Sequence, residues 1–319
     1  MSLRSMLDIL IVNYNTASLL APMFDACERA RQGLQVRYWV VDNASRDDSV
    51  AVLRAQFPFV GLEVNAENVG FGRANNQLLK NVQGDYVLLL NTDAFVQPET
   101  LQRTLAYMEA HPRCGVLGVK LVGRDGALQP SCRYFPTPWN VFLARTGLGR
   151  FFPQTCMVDD MEWDHASVRE CDWVPGCYYL VRRQVLDQLG LFDPRYFLYY
   201  EEVDHCKRVK EAGWQVVYYP DTSVVHIGGE SAKSEGELSA AGRQISALQI
   251  ESELLYFRKH YGLGGLLGHL ALVTLGDAYL LIKDLLKRSG WDAAGYHWAH
   301  WRQTWRLCRQ TRWATQPTR

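Results

Sequence analysis

The stretch Asp85-Tyr-Val-Leu-Leu-Leu-Asn-Thr-Asp93 is an apolar run that ends in an amide, a hydroxyl and a carboxylate. Residues 87–90 are branched aliphatics, too few for a helix core and without polar alternation, so they predict a strand buried on both faces of a mainly parallel sheet. Ligands of open α/β sheets bind beyond the carboxyl ends of the strands, where Asn91, Thr92 and Asp93 would project. A carboxylate there can hold Mg²⁺ or Mn²⁺ against a diphosphate; the alternative is that Asp93 only turns the chain.

Alternating strands and helices surround this run and predict a doubly wound α/β half over residues 7–122. The predicted strands are 7–12, 36–41, 61–64, 87–90 and 115–122, and the predicted helices are 17–31, 50–56, one that ends near 81, and 98–110. The first two strands lead into Asn13 and Asp42, which places polar side chains on one edge of the sheet. Ser45, three residues before Asp48, resembles a helix N-cap, and Pro98 suits the first position of its helix.

Two glycines in Asn68-Val-Gly70-Phe-Gly-Arg73 precede the third predicted helix. Glycine lets the backbone approach a ligand closely, and Arg73 at the helix start can reach a phosphate. The spacing lacks the third glycine of a dinucleotide fingerprint, which argues against a nicotinamide cofactor. A sugar-phosphate nucleotidyltransferase, a rival class, would need a glycine-rich loop after the first strand, whereas the first glycine of the chain is Gly33.

Composition excludes other classes of protein. The 319 residues carry no net charge, because residues 283–319 hold eight Lys/Arg and two Asp/Glu, a net charge of +6, and residues 1–282 carry −6. The positive charge is therefore confined to the tail, and we expect no nucleic-acid partner. The eight cysteines form no C-x-x-C pair and no zinc-ligand spacing, and no secretory signal precedes the first strand, so we expect reduced thiols in a cytosolic protein.

The composition of the chain changes after Asp125-Gly126, a pair that is typical of hairpin turns. Residues 127–170 are aromatic and punctuated by proline, so we expect them to be irregular and to form a wall on the acceptor side of the site. In Trp173-Val-Pro-Gly176, which follows, the turn lets backbone touch a sugar, and the indole can stack on a pyranose face. The alternative for Trp173 is an ordinary core tryptophan.

Acidic residues and a histidine complete the candidate chemistry. Glu201 and Glu202 open a predicted helix, where the dipole favours acidic residues. Adjacent helical residues point about 100° apart, so only one of the pair can face a given cleft, and Asp204 and His205 share the face of Glu201. His226 lies between a strand and two glycines, which suits either an imidazole aimed at a ligand or a structural histidine.

Together these blocks resemble the inverting glycosyltransferases of the GT-A fold, in the family 2 group that includes bacterial rhamnosyltransferases of surface-polysaccharide assembly. The matching segments span residues 11–16, 40–45, 68–76, 88–93, 173–176, 192–204 and 224–231. The resemblance implies a mainly parallel sheet flanked by helices, and transfer of rhamnose from dTDP-rhamnose to a glycan or lipid-linked acceptor. A UDP-sugar donor is the alternative within the family, and a non-catalytic sugar-nucleotide-binding protein is the alternative outside it.

The resemblance also assigns site residues. The nucleotide-sugar site would comprise Asn13, Asn15, Asp42, Asn68, Gly70, Arg73, Asn91, Thr92, Trp173 and Gly176. Asp93 matches the metal ligand of the family's D-x-D motif, whose first aspartate is Asn91 here, and His226 matches a second ligand. This departure leaves one carboxylate for a divalent cation, Mg²⁺ or Mn²⁺. The catalytic base falls on Glu202, with Glu201 as the substitute candidate; a carboxylate within reach of the acceptor hydroxyl and a single in-line displacement would invert the anomeric centre.

The C-terminal third is predicted to be helical at 244–260 and 263–282. The second segment is long enough to span a bilayer, but a charge at Asp277 and four glycines argue against insertion. Tryptophans then alternate with arginines, at Trp291, Trp298, Trp301 and Trp305 and at Arg302, Arg306, Arg309 and Arg312. This mixture suits the interface of an anionic membrane, and the alternative is a helical bundle that packs on the catalytic domain or on a second subunit.

These features predict two domains. A GT-A domain would span residues 1–235, with a nucleotide-sugar half at 1–122 and an acceptor half at 123–235, and a helical extension would span 236–319. The expected location is the cytoplasm, peripherally at the inner face of the membrane, with a homo-oligomer as a further expectation.

Overall fold

The computed structural model describes residues 6–228, 247–286 and 291–319. The strands are β1 (Met6–Asn13), β2 (Gln35–Asp42), β3 (Gly61–Val64), β4 (Tyr86–Leu90), β5 (Ala94–Val96), β6 (Cys114–Val122), β7 (Leu128–Gln129), β8 (Arg169–Glu170), β9 (Tyr178–Arg182) and β10 (Gln215–His226). The helices are α1 (Ala17–Ala30), α2 (Ser49–Gln56), α3 (Phe71–Leu78), α4 (Thr100–Ala110), α5 (Pro138–Thr146), α6 (Arg183–Leu189), α7 (Glu201–Glu211), α8 (Ala247–Leu286) and α9 (Trp291–Gln310). Every strand and helix predicted between residues 7 and 122 is present.

All ten strands belong to one sheet. Its order is β3-β2-β1-β4-β9-β6-β10-β5, with β7 beside β6 and β8 beside β10. Strands β3, β2, β1 and β4 run parallel, as do β6 and β10, whereas β9 lies antiparallel between β4 and β6. The predicted GT-A sheet flanked by helices is confirmed, and β9 is a central strand that the pattern did not predict.

The apolar run of β4 is buried on both faces, as predicted. Leu88 and Leu90 belong to the core that α1, α2 and α4 form with the sheet, and Val87 and Leu89 are buried on the opposite face. Because β4 is central, the polar residues that follow it are held at the carboxyl edge of the sheet.

Two predictions about helix starts are wrong. The N-cap residue of α2 is Asp48, and the hydroxyl of Ser45 instead accepts hydrogen bonds from the Asn13 side chain and the backbone of Asn15. Helix α4 begins at Thr100 rather than at Pro98, because the Thr100 hydroxyl and backbone both bond to Gln97 and close a turn before the helix.

Residues 127–170 are less irregular than predicted. Helix α5 begins with a capping box in which the Thr137 side chain accepts from the Asn140 backbone and the Asn140 side chain accepts from the Thr137 backbone. Pro138 occupies the first helical position, where its missing N–H costs nothing. The expected acceptor-side role of this segment stays a prediction.

The chain divides into two compact units. Unit 1 comprises Met1–Arg133, Met161–Pro194 and Glu201–Gly242, and unit 2 comprises Tyr134–Asp160, Arg195–Tyr200 and Arg243–Arg319. Unit 1 contains the whole sheet, and unit 2 contains α5, α8 and α9. The proposed domain boundary at 235/236, the first residues of the predicted 244–260 helix and the end of the matching segment at 229–231 lie outside the described residues.

Unit 2 is a bundle with a buried polar centre. Helix α8 is kinked at Gly262, where φ is 68° and ψ is −165°, between the two predicted helices. Asp277 is 3% exposed and is paired with Arg145 of α5 and with His300 of α9, whose Nδ1 lies 2.8 Å from it. A carboxylate with two such partners is stabilised inside protein, which explains a charge within an apolar helix.

The C-terminal tryptophans are not uniformly exposed. The indole nitrogens of Trp301 and Trp305 donate to the Thr274 hydroxyl at 3.2 and 3.3 Å, so both rings pack on α8. Trp298, in contrast, is 54% exposed and stacks on Trp301. Packing on α8 therefore explains the positions of Trp301 and Trp305, two of the tryptophans predicted to lie at a membrane interface.

Candidate active site

Pairing of β5 with β10 brings Asp93 and His226 together. His226 is the register partner of Ala94, and the backbone N–H of Ile227 donates to the Asp93 carbonyl at 3.0 Å. The Nε2 atom of His226 lies 3.6 Å from Asp93 Oδ1. The two residues that the resemblance assigns to the metal therefore lie side by side at the edge of the sheet, although 133 positions separate them in the chain.

Their donor atoms fit a divalent cation. Two adjacent ligands of an octahedral ion with bonds of about 2.1 Å are about 3 Å apart, which is near the observed separation. An imidazole beside a carboxylate favours Mn²⁺ over Mg²⁺. No group of three or more His, Cys, Asp or Glu side chains gathers as a metal site among the described residues, so water and substrate oxygens would complete the shell.

A glutamine that sequence analysis missed contacts His226 at two points. The side chain of Gln129 donates from Nε2 to the His226 carbonyl at 2.9 Å, and its Oε1 lies 2.9 Å from His226 Nδ1. Burial lowers the pKa of His226, and the charge of Asp93 opposes that change. The net lowering favours a neutral ring at pH 7, a form that can bind a metal ion.

A buried network joins the ends of β1, β2 and β4. The Asn13 side chain donates to Asp42 Oδ2 at 2.7 Å, and the Thr16 hydroxyl donates to Asn13 Oδ1 at 2.7 Å and lies 2.9 Å from the Thr92 hydroxyl, from which it can accept. Asn13 and Asp42 are fully buried, and Thr92 is 2% exposed. These side chains position the loops of the predicted nucleotide pocket; direct contact with a base or ribose stays a prediction, as it does for Asn15, which accepts from the Arg46 backbone.

Asn43, which sequence analysis did not single out, organises the glycine loop. Its side chain donates to Asn68 Oδ1 at 2.8 Å and accepts from the Val69 backbone at 3.0 Å, and Asn68 Oδ1 in turn accepts from Gly70 N–H. Gly70 has φ of 88° and ψ of 162°, a conformation essentially restricted to glycine. The loop before α3 therefore has a defined shape, determined by the Asn43 side chain and by the conformation of Gly70.

Helix α3 holds the segment that precedes the acidic pair. Nε of Arg73 donates to the Pro194 carbonyl at 2.7 Å, and the Asn76 side chain both donates to and accepts from the Phe192 backbone. Arg73 thus has a structural contact on one edge of its guanidinium. Its predicted contact with a diphosphate is not tested by this geometry.

The two glutamates at the start of α7 have different surroundings. Glu201 is 3% exposed, and burial followed by the charge of Glu202 raises its pKa well above the ordinary 4.5. Glu202 is only half-buried; burial raises its pKa as well, and its own backbone, the Arg133 charge and the Gly176 N–H offset part of that rise. Glu202 therefore has the contacts that favour an ionised carboxylate, and we expect Glu201 to hold a proton more readily.

Gly176 and Cys177 lie between the metal-side and base-side carboxylates. A Cβ on Gly176 would lie 3.7 Å from the Phe71 ring of α3 and 4.0 Å from Glu202 Oε1 of α7. Gly176 therefore lies close to both helices. Burial raises the pKa of the Cys177 thiol, and the charges of Asp93 and then Glu202 raise it further. One buried thiol thus lies within electrostatic range of both carboxylates.

The remaining candidates of this block have structural contacts. Trp173 is 5% exposed and the Arg133 guanidinium lies 4.1 Å from its ring centroid, which fits a core tryptophan, and sugar stacking stays a prediction. Asp204 is paired with Arg208 at 3.0 Å, and His205 contacts the Tyr179 hydroxyl at 2.7 Å. Both side chains are fully buried in the packing of α7.

Comparison with known proteins gives a consistent result. The family model described as Glycosyl transferase family 2 matches residues 8–157. The N-acetylglucosaminyl-diphospho-decaprenol L-rhamnosyltransferase of Mycobacterium tuberculosis is 29% identical over 273 residues, which are 78% of this chain and 84% of that protein. Rhamnosyltransferase WbbL of Escherichia coli is 27% identical over 202 residues, which are 59% of this chain and 74% of that protein.

A solved structure shares the fold. The mannosyltransferase PcManGT from Pyrobaculum calidifontis, in complex with GDP-Man and Mn²⁺, superposes with a TM-score of 0.52 at 16% identity and covers 99% of this chain and 89% of its own. At that identity the likeness concerns the fold alone.

Proposed function

We propose that this chain is a family 2 glycosyltransferase of the GT-A fold and that it transfers rhamnose from dTDP-rhamnose to a glycan or lipid-linked acceptor in the synthesis of a cell-surface polysaccharide. Two relatives named as rhamnosyltransferases support the choice of sugar. The name of the mycobacterial relative, with a decaprenol diphosphate in it, supports an acceptor on a polyprenyl lipid.

The observation that carries the proposal is the convergence of Asp93, His226 and Glu202 on Cys177 and its neighbour Gly176. A transferase needs a cationic centre for the departing diphosphate and a carboxylate base for the attacking hydroxyl, on two sides of one anomeric carbon. Asp93 and His226 supply ligands for the first, and Glu202 supplies the second. A pair of carboxylates at the start of one helix, both with a pKa raised by burial, is typical of an acid–base site rather than of a binding protein.

In the proposed reaction, Glu202 accepts the proton of an acceptor hydroxyl as its oxygen attacks the anomeric carbon. The bond from that carbon to the diphosphate oxygen breaks with its electron pair, and the nucleoside diphosphate leaves from the opposite face, which inverts the anomeric centre. A divalent cation held by Asp93 and His226, when bound, supplies positive charge for the diphosphate. We expect Glu201, whose pKa is raised well above its ordinary value by burial, to stay protonated beside the base.

The structure of unit 2 supports an anionic membrane as partner. An apolar stripe of α8 is exposed, with Leu275 exposed by 61% and Ile282 by 56%; the stripe comprises Leu263, Leu267, Leu275, Ile282 and Leu286. By length and composition α8 could cross a bilayer, but 33% of its most apolar window is buried. Exposed arginines lie on α9 and the turn after it, at Arg302, Arg306, Arg309 and Arg312. Apolar and basic surfaces on one unit suit docking on acidic lipids at the cytoplasmic face.

Vesicle sedimentation tests this partner. The full chain should sediment with vesicles that contain phosphatidylglycerol at low salt, less at high salt, and little with phosphatidylcholine alone. Leu275→Glu should weaken binding at least tenfold, whereas the charge-matched Gln102→Glu on α4 should not. Absence of wild-type binding, together with a dimer in solution that Leu275→Glu dissociates, would instead assign the stripe to a second copy.

A donor panel tests the reaction. Release of nucleoside diphosphate should be measured with dTDP-rhamnose, UDP-GlcNAc and GDP-mannose, each with Mn²⁺, Mg²⁺ and chelator, and with a polyprenyl diphosphate-linked sugar as acceptor. Turnover with dTDP-rhamnose alone supports the proposal, and turnover with only a UDP-sugar would replace the donor. Donor binding with no turnover on any acceptor in the panel would favour the non-catalytic alternative.

A further inference from the structure

Gln129 reaches His226 because of the hairpin after β6. Strand β7 pairs antiparallel with β6, which itself runs beside β10. The hairpin turn has Gly126 at φ of 78°, and the Gly123 N–H donates to the Ala127 carbonyl at 2.8 Å. Ser131 contacts both strands of the hairpin, since its hydroxyl donates to the Gln129 carbonyl at 2.8 Å and accepts from the Leu121 backbone at 3.1 Å. The backbone pairing of Gln129 with Leu121 therefore determines the position of Gln129, and the Ser131 hydroxyl adds hydrogen bonds to the same hairpin.

The two contacts of Gln129 determine where the proton of His226 lies. A carbonyl oxygen can only accept, so the amide nitrogen of Gln129 must face the His226 carbonyl. The amide oxygen then faces Nδ1, and because this oxygen can only accept, Nδ1 must carry the hydrogen. In the neutral imidazole this leaves the Nε2 lone pair without a proton, 3.6 Å from Asp93 Oδ1.

Two lone pairs that face each other across this gap repel unless a cation lies between them. We propose that Gln129 is a positioning residue that fixes the ring and the tautomer of His226 so that Nε2 and Asp93 together form a preorganised half-shell for a divalent cation. The inference rests on the metal site within the proposed function. It assigns to Gln129 the outer-shell role that orients a ligating histidine, and loss of such a partner typically weakens metal affinity about 10- to 100-fold.

The test uses the full chain and two variants of the same hairpin. Gln129→Met keeps the length of the side chain and removes both contacts with His226. The control, Ser131→Ala, removes hairpin hydrogen bonds without touching His226. Thermal unfolding of both variants establishes that each is folded, and the measurements are made on the metal-free protein first.

Nitrogen NMR of metal-free protein, with His226→Gln used for assignment, should show His226 protonated on Nδ1 in the wild type and in Ser131→Ala. Gln129→Met should move the proton partly or wholly to Nε2. Electron paramagnetic resonance of Mn²⁺, titrated with dTDP present, should give a dissociation constant about 10- to 100-fold higher for Gln129→Met and unchanged within twofold for Ser131→Ala.

Unchanged tautomer and unchanged Mn²⁺ affinity in Gln129→Met would overturn the inference, as would a wild-type ring protonated on Nε2. The outcome is separable from that of the donor panel, because neither readout involves transfer. A wild type that binds Mn²⁺ as expected but turns over no sugar would overturn the proposed function and leave the role of Gln129 intact.

Discussion

Replacing Glu202 by glutamine should slow sugar transfer about 10²- to 10⁴-fold and leave nucleotide affinity within about twofold. The amide keeps the shape of the carboxylate and can still accept from the Gly176 N–H, but it cannot take a proton from the acceptor. At about 1.4 kcal/mol per tenfold, the loss corresponds to about 2.8 to 5.6 kcal/mol in the barrier. The loss should appear in kcat rather than in the affinity for donor.

Glu201→Gln is the matched control, since it makes the same chemical change one residue away. Glu201 already holds a proton at neutral pH in our assignment, so a neutral amide replaces a neutral acid and activity should fall less than tenfold. The amide also removes a buried ionisable group whose Oε2 has no hydrogen-bond partner among the described residues. We therefore expect this variant to be no less stable than the wild type at pH 7.

The pH dependence of stability distinguishes the two glutamates further. The folded-state pKa of Glu201 is raised above 4.5, so the native state keeps a proton that the unfolded chain loses. That contribution to stability is present below pH 4.5 and is lost as pH rises through the folded pKa, by about 1.4 kcal/mol for each pH unit in the window. Glu201→Gln lacks this contribution, so its stability relative to the wild type should increase between pH 4 and pH 8.

Steady-state transfer, calorimetric binding of dTDP, and urea unfolding at several pH values measure these expectations. A nearly inactive Glu201→Gln beside an active Glu202→Gln would move the base one residue back and refute our assignment of the proton. Equal mild losses in both variants would place the base elsewhere, with Asp204 the next residue to test even though its carboxylate is paired with Arg208.

Three further expectations follow from the geometry. Asp93→Ala should abolish the Mn²⁺-dependent part of nucleotide affinity measured by calorimetry, and undiminished affinity would remove Asp93 from the metal site. Gly70→Ala should cost about 1 to 3 kcal/mol in urea unfolding because of its positive φ, whereas Gly268→Ala, exposed within α8 with open space around it, should stabilise by about 0.5 to 1 kcal/mol. Asp277→Ala should cost about 3 to 5 kcal/mol, since Arg145 would be left partly buried and unpaired; a loss below 1 kcal/mol would contradict this.

The pattern of apolar residues predicted β1 to β4 and β6, but it did not predict that β9 lies between β4 and β6. Residues 87–90 of β4 have no polar side-chain atoms to satisfy, so their burial follows from their composition alone. β9 is just as buried, yet it contains Tyr178 and Tyr179, whose hydroxyls bond to Thr104 and His205, 74 and 26 positions away. No local pattern predicts that such hydroxyls have buried partners. Helix α5 differs, because Thr137, Pro138 and Asn140 form a start signal that is readable in the sequence.

Some residues of the candidate site could be predicted from the sequence, and others could not. The polar ends of β1, β2 and β4 could be predicted to meet, because the carboxyl ends of parallel strands lie on one edge. The contact of Gln129 with His226 spans 97 positions and depends on a hairpin between them, so neither residue type nor spacing points to it. Ser45 was wrongly predicted to be a helix cap for a related reason. Its spacing from Asp48 is that of a cap, but its hydroxyl accepts a hydrogen bond from Asn13, 32 positions away.

The substitution of Asn91 in the D-x-D motif changes the charge of the donor site in a way that the other residues accommodate. With one carboxylate at Asp93 and a neutral imidazole at His226, the protein ligands carry a single negative charge against a divalent ion. The pair would therefore hold a cation weakly alone and more strongly with a diphosphate, whose oxygens add charge and fill the open positions. By linkage, nucleotide and metal ion must raise each other's affinity by the same factor. With so few protein ligands, metal binding would depend more on their preorganisation, which is the role that Gln129 would play for His226. Glu202 would then be the second ionised carboxylate near the reacting carbon in the proposed site.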